Sequence, residues 1–274
     1  MNNMKFSVCM SVYKNDNTTD FADAVLSIYN QTCRPDEIIL VIDGPVPAIM
    51  HDTISALNEQ IDILRVIQLK ENMGHAIARQ TGLDAARNEL CAIMDADDIS
   101  VPNRFEKQLK AFEEHPEVSV VGGLIREFIH QPDNVVGTRI VPEHDAEIKD
   151  YLKRRCPMNL VTVMLKKSDV MKVGGYLDWY CEEDYYLWIR LALGGYKFHN
   201  LQENLVNVRV GKEMYQRRGG MKYFKSEARL QKYMLNKDII NWGGYLSNVT
   251  KRMIVQVLLP NKIRGWVFRT FARE

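Results

Sequence analysis

The sequence lacks any long hydrophobic run. No stretch reaches the roughly 18 consecutive apolar residues that a helix needs to cross a bilayer. The first six residues, MNNMKF, also lack the extended apolar core of a secretory signal peptide. We therefore expect a cytoplasmic protein that does not span a membrane.

Paired cysteines are also missing. The five cysteines, at positions 9, 33, 91, 156 and 181, are odd in number and include no C-x-x-C pair. Cys9 and Cys91 fall within apolar runs, where a thiol is more often a small buried group than a redox or zinc ligand. We expect a chain that folds with reduced thiols.

The chain has little net charge, only +1, but that value hides an asymmetry. Residues 209–274 contain 15 Lys and Arg against 4 Asp and Glu, whereas residues 1–208 contain 21 against 31. An acidic body with a basic C-terminal segment predicts an anionic partner for that segment. Nucleic acid is not that partner, because the body is acidic and the sequence contains no nucleic-acid-binding motif.

Strand-like and helical patterns alternate along the first half of the chain. Apolar runs at 6–12, 37–42, 64–69 and 90–94 are separated by segments with helical spacing. This alternation predicts an α/β fold with a doubly wound, mostly parallel sheet. Further strands are predicted at 118–123 and 160–165, helices at 102–114 and 183–193, and a loop at 131–141. The apolar pattern becomes sparse near residue 210, which we take as the boundary between a domain at 1–210 and a basic helical extension at 211–274.

Three carboxylates, Asp95, Asp97 and Asp98, follow the apolar run at 90–94. The carboxyl end of such a strand is where open α/β sheets bind ligands. Carboxylates this close repel each other, and a hard divalent cation removes the repulsion while sharing its coordination with substrate phosphates. The motif therefore predicts a metal site that holds a nucleotide diphosphate. The alternative is that Asp97, Asp98 or Ser100 caps the helix that is predicted to begin at Pro102.

A series of motifs resembles a known family when taken in order. The motifs are 11–13 (SVY), 43–44 (DG), 72–82 (NMGHAIARQTG), 95–98 (DADD), 174–176 (GGY) and 183–191 (EDYYLWIRL). Together they resemble the inverting family 2 glycosyltransferases, which have the GT-A fold. The resemblance covers about residues 4–210. It implies a half that binds the nucleotide sugar, at about 1–100, and an acceptor half, at about 101–210.

The resemblance also implies a UDP-sugar donor and a divalent cation, Mn²⁺ or Mg²⁺. The residues it assigns to the nucleotide sugar are Ser11, Tyr13, Asp43, Gly74, Arg79 and Asp95. Asp97 is assigned as the main metal ligand, and Asp95 as a ligand of the metal or the ribose. Asp98 is expected to be structural, as the cap of the next helix.

Three of these assignments can also be judged from the residues themselves. Asp43 ends a parallel strand, where its carboxylate can accept a hydrogen bond from a base N–H; otherwise it is an acid that favours the turn. Gly74 opens a helix, and the N–H groups there favour anions. Arg79 lies one turn into that helix; the alternative to nucleotide binding is a surface ion pair with Glu71 or Asp84.

Glu183 and Asp184 form a second acidic site. Inversion at a sugar carbon requires a base that removes the proton of the acceptor hydroxyl. The resemblance places this base at Asp184, with Glu183 as the second choice. Alternatively, both acids only favour the positive end of a helix that starts here. Trp179 and Tyr180, just before them, are predicted to stack on a sugar ring of the acceptor, whereas Trp188 is expected in the core.

The basic extension offers two further features. Arg217 and Arg218 lie beside glycines and could hold the pyrophosphate of an acceptor, or form a plain basic turn. Residues 251–274 interleave six Lys and Arg with large apolar side chains. That mixture predicts a helix at the interface of an anionic membrane. The alternative is a C-terminal helix that docks on the catalytic domain.

We therefore predict a metal-dependent, inverting glycosyltransferase that moves a hexose or N-acetylhexosamine from a UDP-sugar to a glycan acceptor. The resemblance implies an acceptor linked to polyprenyl diphosphate, in the synthesis of O-antigen or exopolysaccharide at the inner face of the membrane. One rival is a sugar nucleotidyltransferase, but residues 13–17 replace the glycine-rich loop expected after its first strand. The other is a non-catalytic nucleotide-sugar-binding module, which should have lost one acidic site. No G-x-G-x-x-G motif supports a dehydrogenase. The oligomeric state stays open.

Overall fold

The computed structural model describes residues 4–211 and 219–259. The strands are β1 (Phe6–Val12), β2 (Glu37–Ile42), β3 (Leu64–Gln68), β4 (Leu90–Met94), β5 (Ile99–Ser100), β6 (Val118–Phe128), β7 (Val135–Arg139), β8 (Met164–Lys166) and β9 (Lys197–Arg209). The α-helices are α1 (Thr18–Tyr29), α2 (Ala48–Gln60), α3 (His75–Ala85), α4 (Arg104–Glu114), α5 (Asp145–Leu152), α6 (Lys167–Lys172), α7 (Glu183–Leu193), α8 (Met221–Asn236) and α9 (Trp242–Met253). A short 3₁₀-helix spans Leu160–Thr162, and a π-helical turn at Ile254–Leu258 continues α9.

The strands of the described residues form one sheet. Its order is β3-β2-β1-β4-β8-β6-β9-β5, and β7 pairs with β6. β1 is parallel to both β2 and β4, and β6 is parallel to β9. The short β8 is antiparallel to both of its neighbours, β4 and β6. The predicted doubly wound, mostly parallel sheet is confirmed, and β8 joins its two parallel parts.

Local sequence explains the first elements. All six residues of β2, EIILVI, are buried, as expected of a strand covered on both faces. At the start of α1, the Asn17 side chain accepts hydrogen bonds from the N–H groups of Thr19 and Asp20, at 2.9 and 3.1 Å. Such a cap satisfies donors that the helix itself leaves without partners.

The sheet has an apolar core on each face. Phe6, Val8 and Met10 of β1 join the core formed with α1, α2 and α4, whereas Cys9 points to the core formed with α3 and α7. This alternation follows from the two-residue period of a strand. Cys9 and Cys91 are buried, so the prediction that these two thiols are small buried groups is confirmed.

Two predictions of secondary structure were wrong. Residues 160–162, predicted as part of a strand, form the 3₁₀-helix, because the Thr162 hydroxyl donates to Asn159 O at 2.7 Å and accepts from Gly123 N at 3.0 Å. These bonds turn the chain before β8. Residues 131–141, predicted as a loop, contain β7. Val135 and Val136 are exposed on this edge strand, so the sequence lacks the alternation that marks a half-buried strand.

The described part of the C-terminal segment packs against the body. Leu230 and Met234 of α8 are fully buried in the same core as Trp188. The Asn248 side chain of α9 donates to Lys153 O at 2.9 Å. None of the described helices is both long enough and apolar enough to cross a membrane. The domain boundary near residue 210 stays a prediction.

Candidate active site

The predicted nucleotide residues lie at one edge of the sheet. Parallel pairing aligns the ends of β1, β2 and β4, so the segments that follow these strands leave the sheet side by side. The segments carry Tyr13, Asp43 and Asp95, and the half-buried Ser11 is near the end of β1. This is the carboxyl edge, where open α/β sheets bind ligands.

Asp43 organises the loop before α3. Its carboxylate accepts hydrogen bonds from the N–H groups of Met73 and Gly74, at 2.7 and 3.0 Å, and from the Asn72 amide at 3.1 Å. The next residue, Gly44, has φ +83°, and a Cβ there would lie 2.8 Å from a backbone carbon of Glu71. Only glycine fits this close approach. The carboxylate therefore holds the loop that opens α3, and its contact with a base stays a prediction.

Tyr13 faces the same loop from the other side. Its ring meets the His75 ring edge-on, with 6.3 Å between the ring centroids. Its N–H donates to the Asp16 carboxylate at 2.9 Å, which fixes the turn after β1. The half-buried ring of Tyr13 is thus held beside the first residue of α3.

The three acids after β4 have different surroundings. Asp97 is exposed, and the Asp95 side chain is 35% exposed. Asp98 is buried, and its carboxylate accepts the N–H of Arg209 at 2.9 Å. Burial, followed by the nearby Asp97 and Asp95, raises the pKa of Asp98. Asp98 is therefore structural, but it holds the end of β9 and does not cap a helix.

The helix-cap alternative for this motif was wrong. Helix α4 begins after Asn103, and no side chain caps it. Ser100 does not cap α4 either. Its backbone N–H donates to the Ser27 hydroxyl of α1 at 3.0 Å. Asp95 and Asp97 thus remain as two carboxylates that reach the surface at the sheet edge, and their hard oxygen atoms suit Mg²⁺ or Mn²⁺.

Arg79 joins the two acidic motifs. Its guanidinium is 7% exposed and contacts Asp95 at 3.1 Å and Glu183 at 2.6 Å. Burial alone would lower the pKa of Arg79, but Asp95 and Glu183 outweigh it and raise the pKa. The predicted alternative, a surface pair with Glu71 or Asp84, was wrong, because the partners come from β4 and α7.

Asp184 begins α7 beside this ion pair. Its carboxylate accepts the N–H of Tyr185 at 2.6 Å, and the Cys156 sulfur lies 3.9 Å from its second oxygen. Burial and then the charge of Glu183 raise the pKa of Asp184 to about 6, although Arg79 opposes them. A helix N-terminus alone would favour the ionised acid. The site instead holds a carboxylate that can gain and lose a proton near neutral pH.

Two residues near Asp184 had no role assigned from the sequence. The Tyr176 hydroxyl is buried and has no hydrogen-bond partner among the described residues. Burial raises the pKa of Tyr176, which interacts electrostatically with Arg79 and Asp184. The 174–176 motif could have drawn attention to this hydroxyl. Nothing in the sequence marked Cys156, because it reaches Asp184 across 28 positions of the chain.

The predicted acceptor residues are only partly brought to the site. Trp179 is 6% exposed, and its indole N–H donates to Ser226 O of α8 at 3.2 Å. The Arg229 guanidinium lies 4.1 Å from its ring centroid. Trp179 therefore packs between α7 and α8 and offers no open ring face for a sugar, so the stacking expectation is corrected for this residue. The Tyr180 ring is exposed, with Lys222 Nζ 3.9 Å from its centroid.

Arg217 and Arg218 lie outside the described residues. Trp188, expected in the core, is fully buried.

Two family models match the chain. The family model described as "Glycosyl transferase family 2" matches residues 7–172, and "Glycosyl transferase family group 2" matches residues 90–271. The first match runs from β1 through β4 and the acidic motif, and the second also spans α7, α8 and α9.

Similar proteins cover nearly the whole chain. The chain is 34% identical over 98% of its length to the *Escherichia coli* UDP-Gal:alpha-D-GlcNAc-diphosphoundecaprenol beta-1,3-galactosyltransferase, of which it covers 97%. It is 32% identical over 96% of its length to the amylovoran biosynthesis glycosyltransferase AmsE of *Erwinia amylovora*, again covering 97%. Among solved structures, *S. aureus* TarS 1-349 in complex with UDP-GlcNAc superposes with a TM-score of 0.68. That match has 17% identity and covers 92% of this chain and 73% of that one, which supports the GT-A fold.

The buried ion pair of Arg79 generates a prediction about stability. Arg79→Met leaves Asp95 and Glu183 without their cation, and breaking a buried pair in this way costs about 3–5 kcal/mol. We expect the free energy of unfolding, measured by urea denaturation, to fall by that amount at pH 8.

The matched control is Lys110→Met, which removes an exposed pair with Glu114 at 3.7 Å. An exposed pair of this kind contributes about 0.5 kcal/mol or less. Equal losses in the two variants at pH 8 would show that Arg79 is not a structural link between the acidic motifs.

Proposed function

Because the chain belongs to glycosyl transferase family 2, we propose that it transfers a hexose or N-acetylhexosamine from a UDP-sugar with inversion. The proposed acceptor is a glycan on polyprenyl diphosphate, and the product is a precursor of a bacterial surface polysaccharide such as O-antigen. The galactosyltransferase relative, whose name states a diphosphoundecaprenol acceptor, and the amylovoran relative support this substrate class. Family membership favours sugar transfer over the rival nucleotidyltransferase.

The proposed mechanism rests on one observation. Asp184, whose pKa is about 6, lies beside the Arg79 side chain, which pairs with both Glu183 and Asp95. In the proposed reaction the acceptor hydroxyl attacks the anomeric carbon from the face opposite the diphosphate. Its proton passes to Asp184 while the new C–O bond forms and the bond to the diphosphate oxygen breaks. UDP then leaves, and the configuration at the carbon is inverted.

The nucleotide sugar would lie along the carboxyl edge of the sheet. In this proposal Ser11, Tyr13 and Asp43 contact the uridine, and the loop that Asp43 holds leads into the N-terminus of α3. The N–H groups of that first turn favour a diphosphate. Arg79, farther along α3, holds Asp95 in position.

The two surface carboxylates fit a divalent cation. Asp97 and Asp95 would hold Mn²⁺ or Mg²⁺, which, when bound, neutralises charge on the leaving diphosphate. Oxygen ligands at a sheet edge are the donor set that hard cations prefer.

Helix α9 supports a proposal of peripheral membrane association at the cytoplasmic face. An ordinary surface helix buries apolar residues and exposes polar ones. In α9 the polar Asn248 is buried against the body, whereas the apolar Trp242 and Leu246 are 68% and 59% exposed. Met253, on the same face, is also exposed, and Lys251 is an exposed basic residue elsewhere on α9. Exposed aromatic and aliphatic side chains among basic residues are suited to an anionic lipid surface.

The proposed base gives a test of function. UDP release is measured from a panel of UDP-sugars with a GlcNAc-diphosphoryl lipid as acceptor. For the best donor, Asp184→Asn should reduce kcat by roughly 10²-fold or more, the usual scale for loss of a general base. UDP binding should persist in this variant, as a control for folding.

The pH dependence should follow the same group. Only the ionised carboxylate accepts a proton, so kcat/KM of the wild type should rise with pH through about 6, the pKa of Asp184. Glu183→Gln should have a smaller effect on kcat. A larger effect of Glu183→Gln than of Asp184→Asn would assign the base to Glu183. Full activity in both variants would mean that the two acids only stabilise the start of the helix.

Removal of the metal gives a separate test. Asp97→Asn should lower turnover by orders of magnitude, because it removes charge at the proposed ligand, and EDTA should abolish wild-type turnover until Mn²⁺ or Mg²⁺ is restored. Asp52→Asn, at an exposed position of α2, is the control and should retain activity. Turnover that persists in EDTA would rule out the metal.

Membrane association predicts lipid binding that depends on α9. The protein should co-sediment with anionic vesicles and be released by high salt, since charge attraction is screened within about 10 Å at 0.1 M. Trp242→Ser combined with Leu246→Ser should weaken binding, whereas Ile49→Ser, at a 64% exposed apolar position of α2, should not. Equal binding by all three proteins would contradict a membrane role for α9.

A further inference from the structure

Three of the six histidines converge near the start of β9. His144 precedes α5, and His199 is near the start of β9. Together with Glu143 they place one ligand atom each within 4.8 Å of one another. A third histidine, His115 at the end of α4, adds a ring whose centroid is 5.2 Å from that of His199.

The spacing of the rings suits one metal ion. In a tetrahedral site the metal–nitrogen distance is about 2.0–2.1 Å, which places two bound imidazole centroids roughly 5 Å apart. The centroids of His115 and His144 lie 5.2 and 6.2 Å from that of His199. His115 lies outside the group whose ligand atoms are within 4.8 Å of one another, but its side chain is exposed and can rotate toward His199.

The backbone holds the segments that carry these ligands together. His144 and His199 are partners in an isolated antiparallel bridge, and Asn200 N donates to Glu143 O at 2.9 Å. His115 O accepts the N–H of Val118, the first residue of β6, at 3.0 Å. Since β6 pairs with β9, the site would need no backbone movement to form.

The ligands differ in kind from those of the sheet edge. Imidazole nitrogens with one carboxylate favour borderline metals such as Zn²⁺, Co²⁺ or Ni²⁺, whereas Asp95 and Asp97 offer only oxygen. The acidic motif contacts the far end of β9, where Arg209 donates to Asp97 O at 3.2 Å, ten positions of strand beyond His199. The two clusters are therefore separate in place and in chemistry.

We propose that Glu143, His144 and His199, with His115 as the fourth ligand, form a binding site for a Zn²⁺-class ion. The ion clamps the end of α4 and the start of α5 to β9. Its role is structural, because all four coordination positions are filled by protein, which is typical of structural zinc sites.

The experiment titrates the full chain with Co²⁺ in excess Mg²⁺, which competes at oxygen-only sites. Visible absorption reports tetrahedral coordination by nitrogen, and calorimetry with Zn²⁺ gives the affinity and stoichiometry. We expect one such site in the wild type and an increase in its Tm with Zn²⁺. His144→Ala and His199→Ala should each weaken Zn²⁺ binding at least tenfold, since even loss of a supporting residue has an effect of that size.

The control is His51→Ala, which removes an exposed histidine of α2 and should bind Zn²⁺ as the wild type does. His144 is also exposed, so His144→Ala keeps the test valid even if His199→Ala does not fold. Unchanged Zn²⁺ affinity in His144→Ala, or no site in the wild type, would overturn the proposal. Unchanged affinity in His115→Ala would overturn the assignment of the fourth ligand.

Discussion

The structure depends on a buried cation between two groups of acids. Arg79 contacts Asp95, 16 positions later, and Glu183, 104 positions later, so one guanidinium links α3, the end of β4 and the start of α7. Without it, Asp95 and Glu183 would face each other with no cation between them, and Glu183 is only 12% exposed. The pair also acts on Asp184: burial and Glu183 raise its pKa, whereas Arg79 limits the rise. The same contact therefore links α3, the end of β4 and α7, and it limits the rise in the pKa of the proposed base.

The sequence predicted those features that depend on neighbouring residues. The strands at 6–12, 37–42 and 90–94 were found because each is an apolar run covered on both faces, and Asp43 and Asp95 were found because they follow such strands. It missed features that depend on distant partners. The role of Asp98 depends on Arg209, 111 positions away, and β7 is an edge strand whose exposed valines give no alternating pattern. The partners of Arg79 could not be identified from spacing, since Asp84 and Glu71 are nearer in the sequence than Glu183.

The C-terminal helices combine two opposite surfaces. On the inner side, Glu227 of α8 contacts Arg252 of α9 at 3.0 Å, and both act on the buried Glu182 next to the proposed base. On the outer side, the exposed apolar residues of α9 have no such contacts with the body. The charge asymmetry of the sequence pointed to an anionic partner, but it could not show that part of this charge is used inside, against acids of the domain.

The packing of α8 and α9 has a consequence for the synthesis of the chain. Glu182 is enclosed by residues as late as Arg252, and the Gln256 amide contacts Glu227. A nascent polypeptide can pair β1 through β4 early, because these strands lie within its first hundred residues. It cannot enclose the acids of α7 until the last described helices have left the ribosome. The part of the sheet made of β1 to β4 can thus form before α7 has been made, whereas the environment of the proposed base is completed only after α8 and α9 have been made.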